Sequence, residues 1–194
     1  MSEAPQGAAV AADPVFTVGH SNRTWPEFIA VLAAAGVRQL VDIRRYPMSR
    51  RHPHFCRPPM ERALAEAGIV YRHAPDLGGF RGDGAASAAM SSNTAWPVGF
   101  LRNYADYAQT PAYQQAVARL RAALRPGTVL MCAEKHWREC HRQILTDYLI
   151  IAGHRVVHVV DVQTREDGAL SPHARMVGSH LVYAEQRQQL DLGF

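Results

Sequence analysis

The segment from Met131 to Arg142 contains the residue types best suited to chemistry, since it combines two cysteines, two histidines and two arginines. An apolar run precedes it and apolar residues at helical spacing follow it, which predicts a strand, a polar loop and then a helix. Exposed N–H groups at the start of a helix favour anions and thiolates. We therefore expect a binding or catalytic site where this strand meets the helix.

Cys132 is the candidate nucleophile or ligand, and Glu134 is the candidate for proton transfer beside it. Arg138 follows Cys132 at the spacing of cysteine-dependent phosphatases and rhodanese-like loops. The residues between them include no glycine, and Glu134 would repel a phosphate held there, which disfavours that mechanism. The alternative for Cys132 is a buried, inert thiol.

Cys140, His141 and Arg142 begin the predicted helix, where a partly exposed thiol has a lowered pKa. Packing of Cys140 in the core is the alternative. A metal site is a further alternative, because zinc accepts cysteine and histidine ligands. Its ligands would be Cys132, Cys140 and either His20 or His141. A redox disulfide between the two cysteines is another.

The elements that position these residues alternate between short strands and helices. The predicted strands cover residues 15–19, 39–43, 69–71, 128–132 and 156–160, with helices between them. This order predicts a three-layer α/β fold, with a mostly parallel sheet of about five strands and flanking helices. An α+β domain is the alternative, and the polar remainder from residue 163 predicts only a short helix over 181–189.

One α/β domain is expected over residues 14–194, after a disordered, alanine-rich tail at 1–13. Residues 75–97 contain four glycines and an Ala/Ser run without periodicity, which predicts a mobile loop that closes over the site. No apolar run reaches the ~20 residues of a membrane span. The start of the chain does not resemble a signal peptide, and three cysteines suit a reducing cytoplasm.

Polar residues that follow the predicted strands are the site candidates, because ligands of parallel α/β sheets bind beyond the carboxyl ends of the strands. His20 is expected to act as an acid/base or orienting group, and Asp42 to orient Arg44 or His20. Arg44, Arg50 and Arg142 are expected to bind anionic groups. The full set of candidates is His20, Ser21, Asn22, Asp42, Arg44, Ser49, Arg50, Gly78, Gly79, Cys132, Glu134, Cys140, His141 and Arg142.

The stretch from Arg44 to Arg57 holds five arginines, two histidines and no acidic residue. Tyr46 and Phe55 within it could stack on nucleobases. A solvated basic loop is the alternative. Together with the net charge of +4, this stretch predicts binding of an anion or of nucleic acid.

Several fragments of the sequence carry a family resemblance. They are Gly19–Asn22, Asp42–Arg44 with Pro47 and Ser49–Arg50, Leu77–Gly79, Tyr104–Tyr107, and Cys132–Glu134 followed by Cys140–Arg142. In combination they resemble the domain of unknown function 488 family, over most of the chain from Val15 to Val160. The resemblance implies an α/β fold and a site of Cys, His and Arg, and it implies no particular reaction.

The sequence thus predicts a cytoplasmic enzyme, a cysteine-dependent or metal-assisted transferase or hydrolase. Its expected substrate is a small anionic molecule that is nucleotide-like or derived from nucleic acid. The alternatives are a nucleic-acid-binding accessory protein without chemistry and a metal-binding Cys/His protein. Apart from that metal, the sequence indicates no cofactor and no membrane partner, and it does not indicate an oligomeric state.

Overall fold

Strands and helices alternate along most of the chain in the computed structural model, which describes residues 13–81 and 90–184. The strands are β1 (Val15–Gly19), β2 (Gln39–Asp42), β3 (Val70–His73), β4 (Thr128–Cys132), β5 (Val156–Val159), β6 (Arg165–Asp167), β7 (Ala174–Val177) and β8 (His180–Tyr183). The helices are α1 (Trp25–Ala34), α2 (Arg57–Glu66), α3 (Phe100–Ala108), α4 (Pro111–Ala123) and α5 (Arg142–Ile151). Short 3₁₀ turns lie at Pro53–Phe55, Pro75–Leu77 and Trp137–Glu139.

The main sheet has six strands in the order β3-β2-β4-β1-β5-β6. Its first five strands are parallel, and β6 pairs antiparallel with β5 at the edge. Strands β7 and β8 form a separate antiparallel pair. The expected three-layer α/β fold with a mostly parallel sheet is therefore confirmed, and an antiparallel edge strand and the β7–β8 pair extend it.

Two apolar layers cover the sheet. On one face, Phe28 and Leu32 of α1 and Leu64 of α2 pack with Val18 and Met131. On the other face, helices α3, α4 and α5 pack over Cys132 and its neighbours. From β1 through β2 to β3 the chain crosses the sheet in one direction, and from β3 through β4 to β5 it crosses in the opposite direction. Because each crossover is right-handed, α1 and α2 lie on one face of the sheet and α3, α4 and α5 on the other.

A crevice opens at the carboxyl end of β4, which lies between β1 and β2. The chain leaves β1 and β2 toward α1 and α2 on one face, whereas it leaves β4 toward α5 on the other face. Neighbouring strands whose connections diverge in this way form the usual ligand-binding crevice of open α/β sheets. The topology therefore places Cys132, the last residue of β4, at the centre of the rim.

The expected short helix over 181–189 is wrong for the described part of that stretch, because residues 180–183 form β8. Leu181 and Tyr183 are buried and their neighbours are half-buried, which is the alternation of a strand. Residues 185–189 lie outside the described residues, as do 1–12 of the expected tail and 82–89 of the expected mobile loop. Within residues 13–81 and 90–184, no helix has both the length and the apolar character needed to cross a bilayer.

Candidate functional site

A cavity of about 380 Å³ lies at the carboxyl ends of β1, β2 and β4. It gathers residues from six separate stretches of the chain. Its lining residues are His20, Arg44, Arg45, Tyr46, Met48, Ser49, Gly79, Phe80, Phe100, Cys132, Ala133, Glu134 and His141. The expected convergence of Cys132, His20 and Arg44 on one rim is therefore what the fold produces.

Arg44 forms one wall of the cavity and is held from behind by Asp42. The two carboxylate oxygens accept hydrogen bonds from Nε and Nη2 of Arg44 at 2.9 and 2.7 Å, and both residues are buried. Nη2 also donates to the carbonyl of Phe55 at 2.9 Å, and the Tyr71 hydroxyl donates to Asp42 at 3.0 Å. Asp42 thus orients Arg44 from beneath the cavity rather than facing a ligand.

His20 completes this arrangement as a neutral imidazole. Its Nε2 accepts from Nη1 of Arg44 at 3.1 Å, so its Nδ1 carries the proton and donates to the carbonyl of Ser21 at 2.8 Å. Burial, and then the charge of Arg44, lower the pKa of His20 to about 4. Of the two roles expected for His20, orienting Arg44 fits these contacts, since proton transfer would break one of them. Phe55 is fully buried and stacked on this ring at 4.2 Å, so it is not available to stack on a base.

Four groups from the end of β4 and the segment that follows it gather at the cavity floor and directly beneath it. Cys132 Sγ donates to Glu134 Oε2 at 2.9 Å and lies 3.9 Å from Nδ1 of His141. Cys140 Sγ lies 3.5 Å from the same nitrogen. One donor atom from each of the four residues falls within 4.8 Å of the other three. Two thiols, a carboxylate and an imidazole are thus concentrated at one point.

The two thiols differ in their tendency to ionise. The hydrogen bond with Cys140, burial and the neighbouring negative charge raise the pKa of Cys132 well above its ordinary value. Burial disfavours a thiolate at Cys140, but the hydrogen bond with Cys132 and the adjacent His141 outweigh it and lower the pKa of Cys140. Burial of its carboxylate, and then the charge of Cys140, raise the pKa of Glu134. A free thiolate at Cys132 is therefore disfavoured, which argues against a nucleophile there and leaves a ligand or an inert, buried thiol as its role.

Glycines allow the backbone to approach this cluster closely. A Cβ at Gly79 would lie 2.6 Å from Nδ1 of His141 and 2.5 Å from the Phe100 ring. A Cβ at Gly78 would lie 2.5 Å from the backbone nitrogen of Arg45. A side chain at either position would displace a cavity wall, so both glycines shape the site and neither presents a binding group.

Other candidates lie outside this cavity. Arg50 is exposed and does not line it, although Ser49 does. Ser21 and Asn22 turn away into a separate cavity of about 450 Å³. Arg142 is buried, and its Nη2 donates to the backbone carbonyls of Glu134 and Lys135, so it supports the loop instead of facing a ligand.

The spacing between Cys132 and Arg138 is not used as in cysteine-dependent phosphatases. Arg138 is 65% exposed and its Nη1 donates to Glu166 at 2.7 Å. The Trp137 indole donates to the same carboxylate and stacks on His158 with ring centroids 4.1 Å apart. These contacts hold Arg138 at the edge of the sheet, and it does not line the cavity.

Three apolar residues at the mouth of the cavity were not identified as site residues from the sequence. Met48, Phe80 and Phe100 all line it, and their exposed fractions are 79%, 61% and 44%. Tyr46, which the sequence did identify, lies beside Phe80 with ring centroids 6.2 Å apart. Phe80 directly follows the Gly78–Gly79 pair, and this position could have identified it as a site residue from the sequence. The spacing around Phe100 indicates only a residue on one face of a helix.

Comparison with curated proteins gave no significant match, and comparison with solved structures gave none either. A family model described as "Domain of unknown function DUF488" matches residues 24–149, which is more than half of the chain. That range includes Arg44, the Gly78–Gly79 pair and the whole cluster from Cys132 to Arg142. The chain therefore belongs to the DUF488 family.

Proposed function

We propose that this protein is an enzyme, a hydrolase or transferase, that acts on a small nucleotide-like anion bound in the cavity of about 380 Å³. The supporting observation is that one cavity combines a cationic wall, a rim of aromatic rings and a reactive floor. Cavities that hold small molecules typically measure about 300–1,000 Å³, so the size suits a single small ligand.

The cationic wall suits an anionic group. Four of the five N–H groups of Arg44 are used by Asp42, Phe55 and His20, which leaves one N–H of Nη1 for a ligand. Asp42 also offsets the charge of Arg44. Arg45 lines the same cavity, and it has no carboxylate partner within the described ranges. Arg45 therefore supplies the uncompensated positive charge that would attract a phosphate or carboxylate.

The rim suits a planar ring. Tyr46 and Phe80 lie side by side and are each 61% exposed, and Phe100, which lines the same cavity, is 44% exposed. Stacking of a nucleobase on such a ring contributes about 1–3 kcal/mol. The carboxylate of Glu134 also lines the cavity, and in this proposal it accepts or donates the proton.

Binding of nucleic acid without chemistry is the second candidate. Arg50 and Arg51 are exposed and directly follow Ser49 of the cavity, so a longer polyanion could continue onto them. Such binding would weaken steeply with salt, because each neutralised phosphate releases counterions.

The test compares Arg45→Ala with Arg50→Ala in calorimetric titrations with nucleoside monophosphates and with single-stranded oligonucleotides. We expect Arg45→Ala to weaken mononucleotide binding by about 10- to 100-fold, the equivalent of one charged hydrogen bond. Arg50→Ala should leave it unchanged, because that side chain does not line the cavity. For a mononucleotide that binds, Glu134→Gln should abolish its turnover while leaving it bound.

Two results would overturn the proposal. One is the absence of mononucleotide binding by the unchanged chain. The other is oligonucleotide binding that Arg45→Ala and Arg50→Ala weaken equally, with no turnover of any nucleotide, which would establish the second candidate instead.

A further inference from the structure

The cluster on the cavity floor has the donor set and spacing of a zinc site. With Zn–S near 2.3 Å and Zn–N near 2.0 Å, sulfur and nitrogen ligands of a tetrahedral ion lie about 3.5 Å apart. Nδ1 of His141 lies 3.5 Å from Cys140 Sγ and 3.9 Å from Cys132 Sγ. Glu134 Oε2 lies 2.9 Å from Cys132 Sγ and would move away by about 0.6 Å to share an ion with it, for which the adjoining cavity leaves room.

We infer that Cys132, Glu134, Cys140 and His141 bind one zinc ion, and that this ion faces the cavity. Two sulfurs select a borderline or soft divalent ion such as zinc over magnesium and calcium, which prefer all-oxygen sites. Coordination requires both sulfurs as thiolates, so their protons are released to solvent when the ion binds. The catalytic part of this inference rests on the function proposed above, whereas the binding of the ion does not.

The surroundings of His141 leave Nδ1 for the ion. The residue is 2% exposed, and its Nε2 has no hydrogen-bond partner among the described residues. The rings of Tyr104 and Phe100 lie 4.8 and 6.2 Å from the imidazole and hold its orientation. Nδ1 is turned toward the two sulfurs, and Gly79 leaves the space beside it free.

The ligands are arranged so that the ion has an open side. Cys132, Glu134 and His141 line the cavity, whereas Cys140 lies behind them and is fully buried. Glu134 is the exposed member, so substrate or water can take its place and leave two cysteines and a histidine on the ion. Three protein ligands and one exchangeable position are typical of catalytic zinc, and four permanent protein ligands of structural zinc. Bound there, zinc would polarise a substrate oxygen or activate water.

The test is a titration of the full chain with Zn²⁺ and with Co²⁺ under reducing conditions, after bound metal has been removed with a chelator. Cobalt ligated by thiolates has a charge-transfer absorption band, which reports the sulfur ligands directly. We expect one ion per chain. Loss of an outer-shell partner already weakens metal sites by about 10–100-fold, so Cys140→Ser and His141→Asn should weaken binding by at least roughly 100-fold.

Cys56→Ser is the matched control, because the Cys56 sulfur lies outside the cluster, against the backbone of Ser49. It should bind the ion as the unchanged chain does. Glu134→Gln should keep the cobalt–thiolate band and weaken binding by about 10-fold, since it retains three ligands. Circular dichroism of each metal-free variant separates loss of a ligand from loss of the fold.

Failure of the unchanged chain to bind one ion overturns the inference, as does an equal loss of the band in Cys56→Ser and Cys140→Ser. A chain that binds nucleotides but no metal overturns this inference alone. A chain that binds the ion but no nucleotide overturns the proposed function and leaves the metal site standing.

Discussion

Replacing Asp42 with asparagine should destabilise the fold by about 3–5 kcal/mol, because it leaves the buried guanidinium of Arg44 without a counter-charge. Asp42 is fully buried and Arg44 is 7% exposed. The carboxylate accepts from the backbone N–H, Nε and Nη2 of Arg44 and from the Tyr71 hydroxyl. An asparagine has the same shape, but its NH₂ group would face two donors, Nη2 and the Tyr71 hydroxyl. The loss is a large fraction of the roughly 5–15 kcal/mol that stabilises a typical domain.

Urea denaturation followed by tryptophan fluorescence measures this change, since the chain has three tryptophans. Tyr71→Phe is the control. It removes one hydrogen bond to the same carboxylate and no charge, and should cost about 1.5–3 kcal/mol, less than the loss of the counter-charge.

The same substitution in an Arg44→Met background gives a sharper test. There Asp42→Asn should stabilise the fold, because it removes a buried carboxylate that has already lost its cation. A cost for Asp42→Asn below about 1 kcal/mol, or the same cost in both backgrounds, would refute the reasoning.

Two further predictions concern the glycine beside the cluster and a buried carboxylate in α5. Gly79→Ala should lower the free energy of unfolding by about 1–3 kcal/mol and abolish metal binding, because the Cβ of the alanine would lie 2.6 Å from His141 Nδ1. An unchanged melting temperature would contradict this prediction. Burial raises the pKa of Asp147 to about 6, although Ser171 and Tyr183 donate hydrogen bonds to it. The folded state therefore binds the proton of the Asp147 carboxyl group more tightly than the unfolded state does. The stability that this protonation contributes is lost as the pH rises from about 4 to about 6. The free energy of unfolding of Asp147→Asn, relative to that of the unchanged chain, should therefore rise by up to about 3 kcal/mol between pH 4 and pH 7. Urea denaturation at each pH measures this difference, and a difference that does not change with pH would show the prediction wrong.

The sequence by itself determined the fold class and the central segment of the site. Buried parallel strands such as β2, β4 and β5 read as short, continuous apolar runs, and their alternation with helices leaves few topologies. The helix signals are equally local, as in the contact between the Thr24 backbone N–H and the Glu27 carboxylate at the start of α1. The strand β8 was missed because it lies outside the repeating order of strand and helix and pairs only with β7, in a segment whose composition is mostly polar.

Only the tertiary structure decided which candidates face a ligand. Insertion of β4 between β1 and β2 brings Cys132 against His20 and Arg44, which are more than eighty residues away in the chain. Direction also depends on packing: Arg142 turns to backbone carbonyls and Arg50 to solvent, although both are the same residue type as Arg44. Residue type and spacing reveal what chemistry a side chain can do, but its direction and partners are set by long-range contacts that local sequence does not encode.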